Sequence, residues 1–437
     1  MKKFFSTIKN IFAIEDLRIR ILNTVGFLMV FRLGSFIVLP GIDPDLLGDG
    51  ASGGIFDFIN TFLGGSFSRA SIFALGIMPY ISASIVIQLM TVAVPYFQKL
   101  QKEGDSGRKR LTQITRVLTI AITAAQSASY LAVTIPSEAI YNPGLFFTVS
   151  SVIILVSGTM FCMWLGERIT DKGIGNGISM LIMIGIISRL PGSLLGEAVS
   201  RGMSGALMFV LEIVALFFVV MAVVMLTQAT RRIPIQYAKQ VIGNKLYGGK
   251  RDYIPLKVNS SGVMPIIFAQ ALMFIPPMIA GLWSDSDVGA YIGATFADPY
   301  GWQYNLVFGI LILLFTFFYT AITVNPNDIA DNLKRNGGFI PGIKPGKQTS
   351  EFIDQVLTKI TLPGSIFLAI VAVLPAFAVQ AGVSASFAQF YGGTSLLIMV
   401  GVVLDTLQQI ESYLLMRHYE GMMKSGKVKG RSQIAAA

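Results

Sequence analysis

Ten stretches of this chain are each apolar enough to cross a lipid bilayer, at about residues 21–39, 71–94, 114–135, 145–165, 174–194, 205–227, 262–282, 305–324, 361–380 and 393–416. Nothing else in the sequence limits the fold as strongly. A spanning helix takes roughly 20 mostly apolar residues. In hydrocarbon every backbone N–H and C=O must find a partner within the protein, and a run of this length does so as a helix. Composition agrees, with 53% of the 437 residues hydrophobic and 13% charged, against about 25% charged in a soluble chain. The expectation is an all-α polytopic membrane protein. The fifth stretch is the least regular, because Pro191 interrupts it and Arg189 lies near its end.

Charge alternates between successive loops. The N-terminal arm, residues 95–116, Arg168 and Lys172, residues 228–257, residues 325–360 and the tail together hold 30 of the 34 basic residues. The intervening loops carry Asp43, Asp45, Asp49, Asp57, Glu138, Glu197, Asp285, Asp287 and Asp298. Lys/Arg excess marks the cytoplasmic side, so both termini are expected there, in the cytoplasmic membrane. No cleaved signal is expected, since MKKFFSTIKNIFAIEDLRIR lacks a continuous apolar core and a small-residue cleavage site.

Cys162 and His418 are the sole members of their types. That leaves no disulfide framework, no His/Cys metal cluster and no conventional nucleophilic triad. An intramembrane enzyme is therefore disfavoured, and no catalytic residue, cofactor or metal is expected. Arg32, Glu212 and Asp405 are charges within expected spans. Each costs roughly 2.5–3.5 kcal/mol near the bilayer centre and reads either as a side chain reaching for the interface or as half of a structural ion pair.

Residues 53–95 combine two unlike pieces. Ile55 to Leu63 is too short to span, and as a helix it gathers Ile55, Phe56, Phe58, Ile59, Phe62 and Leu63 on one face, with Asp57, Asn60 and Thr61 on the other. Gly53-Gly54 and Gly64-Gly65 bracket it and leave its ends free to swivel. The span that follows holds Gly76 and Pro79, which favour a bend. Ile77, Ile81 and Ile85 share one of its faces, and Gln88 adds polarity near that face. A short amphipathic helix hinged before a spanning helix suggests a part that moves.

The long cytoplasmic excursions, 228–257 and 325–360, are punctuated by Pro and Gly. The first alternates apolar and basic residues and suits a β-hairpin turning near Gly248-Gly249. The second suits a short helix from about Asp328 to Arg335, stopped by Asn336-Gly337-Gly338. Neither GERITDKGIGNGIS nor GIKPGKQ has the spacing of a nucleotide-binding loop. Arg231, Arg232, Lys239, Lys250, Arg251, Lys334, Arg335, Lys344 and Lys347 give these loops a basic surface. It is suited to anionic lipid or to docking a large partner rich in acidic groups or RNA phosphate.

Seven blocks resemble the SecY family of bacterial protein-conducting channels: RASIFALGIMPYISASIVIQL, KEGDSGRKRLTQITR, ITDKGIGNGIS, RRIPIQYAK, IPLKVNSSGVMPIIFA, DNLKRNGGFIPGIKPG and FYGGTSLLIMVGV. They fall in order along almost the whole chain. The resemblance implies ten transmembrane helices in two pseudo-symmetric five-helix halves around a central pore, here 1–204 and 205–416 with a cytoplasmic tail, 417–437. It also implies that Ile55–Leu63 is a plug, and that Ile77, Ile81, Ile182, Ile186, Ile267 and Ile398 form a pore ring. A lateral gate touching Gln88 would release apolar segments into lipid. The implied partners are SecE and SecG-like small membrane subunits, the SecA ATPase, the ribosome, signal peptides and unfolded polypeptides. Lys344 stands where the family usually has arginine, in PGIKPG. The alternative is a small-solute secondary transporter, which shares spans, broken helices and half-repeats but needs a charged midplane cluster.

Overall fold

A computed structural model describes residues 12, 14–47, 60, 63–202, 205–237, 240–242, 245–247, 251–273, 291, 295–296 and 298–424. The helices are α1 (Glu15–Gly34), α2 (Met78–Ala93), α3 (Pro95–Lys102), α4 (Asp105–Thr134), α5 (Leu145–Lys172), α6 (Gly177–Arg201), α7 (Ala206–Gln228), α8 (Met264–Met273), α9 (Trp302–Thr323), α10 (Pro326–Arg335), α11 (Lys347–Gln380), α12 (Ala385–Ala388) and α13 (Gly393–Lys424). Among the described residues a helix lies over each of the ten expected spans. Among the described residues six helices are long and apolar enough to cross a membrane, or seven if the sharply bent pair α2–α3 counts as one span. Pro191 sits inside α6 without ending it.

Two compact units emerge: Met1–Arg189 with Gly401–Ala437, and Leu190–Val400. In the first, α4 packs against α2 and α5, and α5 against α1. Thr115, Thr119, Thr123 and Ser127 recur every fourth residue along α4, all buried. Each hydroxyl donates to the carbonyl one turn back, at 2.6–2.9 Å. Such a stripe is small and internally satisfied, so helices approach closely where lipid supplies no hydrophobic drive.

The second expected span is helical only from Met78. Residues before it form turns, with Ser71 bridged to Val38 and Ile72 N–H donating to the Ile37 carbonyl at 2.9 Å. Pro79 therefore opens α2 instead of bending it, a first-turn place where its missing N–H costs nothing. At 16 residues, α2 is about 24 Å long. Gly158 on α5 makes room for the turns, since a Cβ there would collide with the Ile72 carbonyl.

In the second unit, α9 packs against α8 and α11. Below them a sheet runs in the order β4-β1-β5, from β1 (Thr230–Tyr237), β4 (Arg251–Lys257) and β5 (Gly338–Phe339). A second pair, β2 (Gln240–Ile242) and β3 (Lys245–Tyr247), closes with Ile242 opposite Lys245. The expected turn at Gly248-Gly249 lies outside the described residues. Ile233, Ile235, Leu256, Leu333, Ile340, Ile353 and Leu357 give this part its own apolar core. The expected short helix is α10, capped by Asn325, whose side chain accepts from Asn327 N–H, and followed by Gly337 at φ +66°.

Candidate functional site

The glycine pair before α2 sits in a cage of cations. Gly64 and Gly65 have φ of +62° and +88°, the left-handed region where glycine carries no Cβ penalty. Arg32 Nη1 and Arg69 Nη2 both donate to the Gly64 carbonyl, at 2.9 and 3.0 Å. Arg69 Nε donates to the Gly65 carbonyl at 3.0 Å. Both guanidinium groups also lie over the Phe36 ring, 5.0 and 4.3 Å from its centroid. Charge-assisted bonds of this kind are stronger than neutral ones, and ring faces attract cations.

The flanking residues are held as well. The Asn60 amide nitrogen donates to Ser68 Oγ, and Asn60 Oδ1 accepts from Ser68 N–H. Tyr130 O–H donates to the Phe67 carbonyl at 2.6 Å. Leu63 is buried in a cluster with Leu39, Phe67, Leu75, Leu131 and Leu155. The Gly64-Gly65 turn is anchored on both sides.

Of the expected plug residues, Leu63 is buried there; Ile55, Phe56, Phe58, Ile59 and Phe62 lie outside the described residues. In the first unit Ile77, Ile182 and Ile186 are buried and Ile81 half-buried. In the second, Ile398 is buried and Ile267 half-buried. Gln88 is half-buried, and its Oε1 has no partner. Of the charges in spans, Glu212 follows the ion-pair reading and Arg32 follows neither reading. Arg32 reaches a backbone carbonyl instead of the interface or a carboxylate, Glu212 pairs with Arg201 at 2.5 Å, and Asp405 is exposed. Arg32 and Glu212 are thus committed to structural contacts, which removes them from a transporter's midplane relay.

Sequence reasoning missed Arg69 and Arg201. The signal was available: they, with Arg32 and Arg189, are the four basic residues outside the basic arm, loops and tail. The GIGNG turn between α5 and α6 is also committed. Its N–H groups at Ile174, Gly175, Gly177 and Ile178 go to Thr24, Gln409, Thr170 and Asn176 side chains, leaving those donors unavailable to a phosphate.

On the part built around β1, β4, β5 and α10, Arg231, Arg232, Lys334, Arg335, Lys344 and Lys347 are all exposed. Lys344 lies in a turn set by Gly342 and Gly346, both at positive φ, and its carbonyl accepts from the Thr349 hydroxyl at 2.9 Å. Arg251 begins β4; Lys239 and Lys250 lie outside the described residues.

A family model described as SecY matches residues 71–407. The chain belongs to the SecY family. It is 40% identical to a Mycobacterium tuberculosis protein translocase subunit SecY over 97% of this chain and 100% of that one. To the protein of the same description from Streptomyces coelicolor it is 43% identical, over 94% and 98%. Solved structures carry the fold. One described as the structure of a protein conducting channel aligns with TM-score 0.62 at 18% identity, covering 90% of this chain and 92% of that one. Sec61 in a canine ribosome-channel complex from the endoplasmic reticulum aligns with TM-score 0.58 at 17% identity over the same shares. This SecY-family chain is thus a multi-pass membrane protein with the helical architecture of protein-conducting channels.

Proposed function

We infer that this chain is the pore-forming subunit of a protein translocase, passing unfolded polypeptides across the cytoplasmic membrane with both termini in the cytoplasm. Family membership across residues 71–407 carries the reading, and the arginine-held glycine pair supports a moving part. In this reading Ile55–Leu63 is the plug and Gly64-Gly65 its pivot. Ile77, Ile81, Ile182 and Ile186, with Ile267 and Ile398, form a constriction. An apolar collar tolerates any passing side chain, where fixed polar groups would hold some of them, and it blocks ions by dewetting. The halves 1–204 and 205–416 flank the path, and Gln88 lines a lateral gate through which apolar segments partition into lipid by their own transfer free energy.

The chain performs no covalent chemistry itself, and the driving force comes from a partner. Arg231, Arg232, Lys334, Arg335, Lys344 and Lys347 form the exposed part of a docking surface for the SecA ATPase or a translating ribosome. SecE and SecG-like subunits brace the spans. The test is photo-crosslinking of a stalled secretory chain to probes at Ile81 and Ile267. Adducts at both are expected, whereas adducts only on lipid-facing sides of other spans would overturn the reading.

A further inference from the structure

The second unit contains a buried ionic knot that none of the roles above uses. Arg201, at the end of α6, donates through Nε to Glu197 Oε1 at 3.0 Å and through Nη2 to Glu212 Oε1 on α7 at 2.5 Å. The same Nη2 reaches the Gly382 carbonyl at 2.6 Å. Glu197 Oε2 accepts from Ser384 N–H at 3.1 Å, and the Tyr391 hydroxyl donates to the Glu212 carbonyl at 2.6 Å. One guanidinium thereby joins α6, α7 and the connection between α11 and α13. The two carboxylate side chains are only 1% and 6% exposed.

We propose that Arg201 is a positioning residue for the constriction, fixing the start of α13 and so the placement of Ile398. The knot is not explained by stability alone, because ions taken this far from water cost heavily in desolvation and an apolar replacement often serves as well. What it supplies is a defined geometry at three chain segments. Among the described residues two carboxylates share the Arg201 cation, and Glu212 Oε2 is buried without a partner, so losing the fork leaves both carboxylates without it. The path from knot to Ile398 also has no slack. Tyr391 stacks edge-on against Phe387, with centroids 5.5 Å apart. A Cβ on Gly392 would collide with the Val371 carbonyl, and Gly393 holds φ +65°. Ile398 lies in α13, in the second turn after Gly393.

That Ile398 narrows the path rests on the channel reading; that Arg201 fixes it does not. The experiment uses the full chain with its small membrane subunits in liposomes, carrying Cys162→Ser and Ile398→Cys, and measures labelling by a membrane-impermeant maleimide. Arg201→Lys keeps the charge but loses the planar fork. Arg201→Met with Glu197→Gln and Glu212→Gln removes the uncompensated charges, guarding against simple misfolding. Labelling at position 398 about tenfold faster in both is expected, as a locally opened segment exchanges faster, with labelling of Ile182→Cys in the first unit unchanged. Unchanged labelling at 398 in both variants, or an equal rise at 182, would overturn the proposal. Failed crosslinking of a stalled chain at Ile81 and Ile267 would instead defeat the channel reading.

Discussion

Arg32 and Gly64, 32 residues apart in sequence, meet through a 2.9 Å hydrogen bond from guanidinium to carbonyl. Arg69 completes the grip from the other side at 3.0 Å. A charge placed within a span thus meets the carbonyl of Gly64. Removing one donor forfeits a charge-assisted bond of about 1.5–3 kcal/mol, at the low end here because both arginines are partly exposed. Arg32→Met and Arg69→Met are each expected to raise resting ion conductance in planar bilayers, and the double variant more than either. Deleting residues 55–63 is expected to raise it further. Conductance equal to the parent in all of them would count against plug and pivot together.

Gly64 and Gly65 are not equivalent. A Cβ on Gly64 would lie 2.7 Å from Arg32 Nη1, 2.8 Å from Ser188 Oγ and 3.0 Å from the Gly185 backbone. A Cβ on Gly65 would meet only the Arg69 guanidinium, at 3.0 Å, the far end of a flexible side chain. Both positions bear positive φ, which costs about 1–3 kcal/mol for a residue with a Cβ. Gly64→Ala is therefore expected to lower the thermal midpoint and raise leakage clearly more than Gly65→Ala. Equal effects would mean that backbone strain alone matters and the arginine cage does not.

Parts of this arrangement could be read from residue order and parts could not. Helix α10 was readable because its ends are chemical: Asn325 caps one, and Gly337 leaves the other in a left-handed turn. Pro79 was read as a kink because proline in a long apolar run usually bends it. What decides the outcome is the pairing of Ser71 with Val38, a contact between distant segments that no local period reveals. The alternation of apolar and basic residues in 228–257 is enough to indicate antiparallel strands, and β1 pairs with β4 and β2 with β3. Arg69 and Arg201 escaped notice because each looks like an ordinary loop or helix-end cation until its carbonyl partners are seen.

Gln88 offers a test of what polarity costs in α2. Its Oε1 is buried and unpartnered, and a buried acceptor without a donor forfeits about 1–3 kcal/mol. Gln88→Met, close in shape and apolar, is expected to raise the thermal midpoint of the detergent-solubilised protein. If Gln88 lines a gate that must open, the same change also slows release of a moderately apolar segment into lipid, because the closed wall becomes more favourable. A lower midpoint would mean that Oε1 finds a partner and the residue is structural.

The loop cations make the most separable prediction, because they are exposed and seated on an apolar core of their own. Reversing Arg231, Arg232, Lys334 and Arg335 to glutamate is expected to leave the folding of that part within about 0.5 kcal/mol per site, as is usual for surface changes. Binding to ribosomes or to the motor ATPase, measured by sedimentation, is expected to fall steeply at low salt and less at high salt, since exposed charges are screened over roughly 10 Å at 0.1 M. Lys344→Arg tests the opposite direction. The turn holding it is set by Gly342 and Gly346 rather than by its own side chain, so the substitution changes only the presented head group. A planar fork binds carboxylate or phosphate in a bidentate manner where an ammonium cannot. Tighter binding to one partner and not the other would identify which of them reads this turn, and no change for either would remove Lys344 from the docking surface.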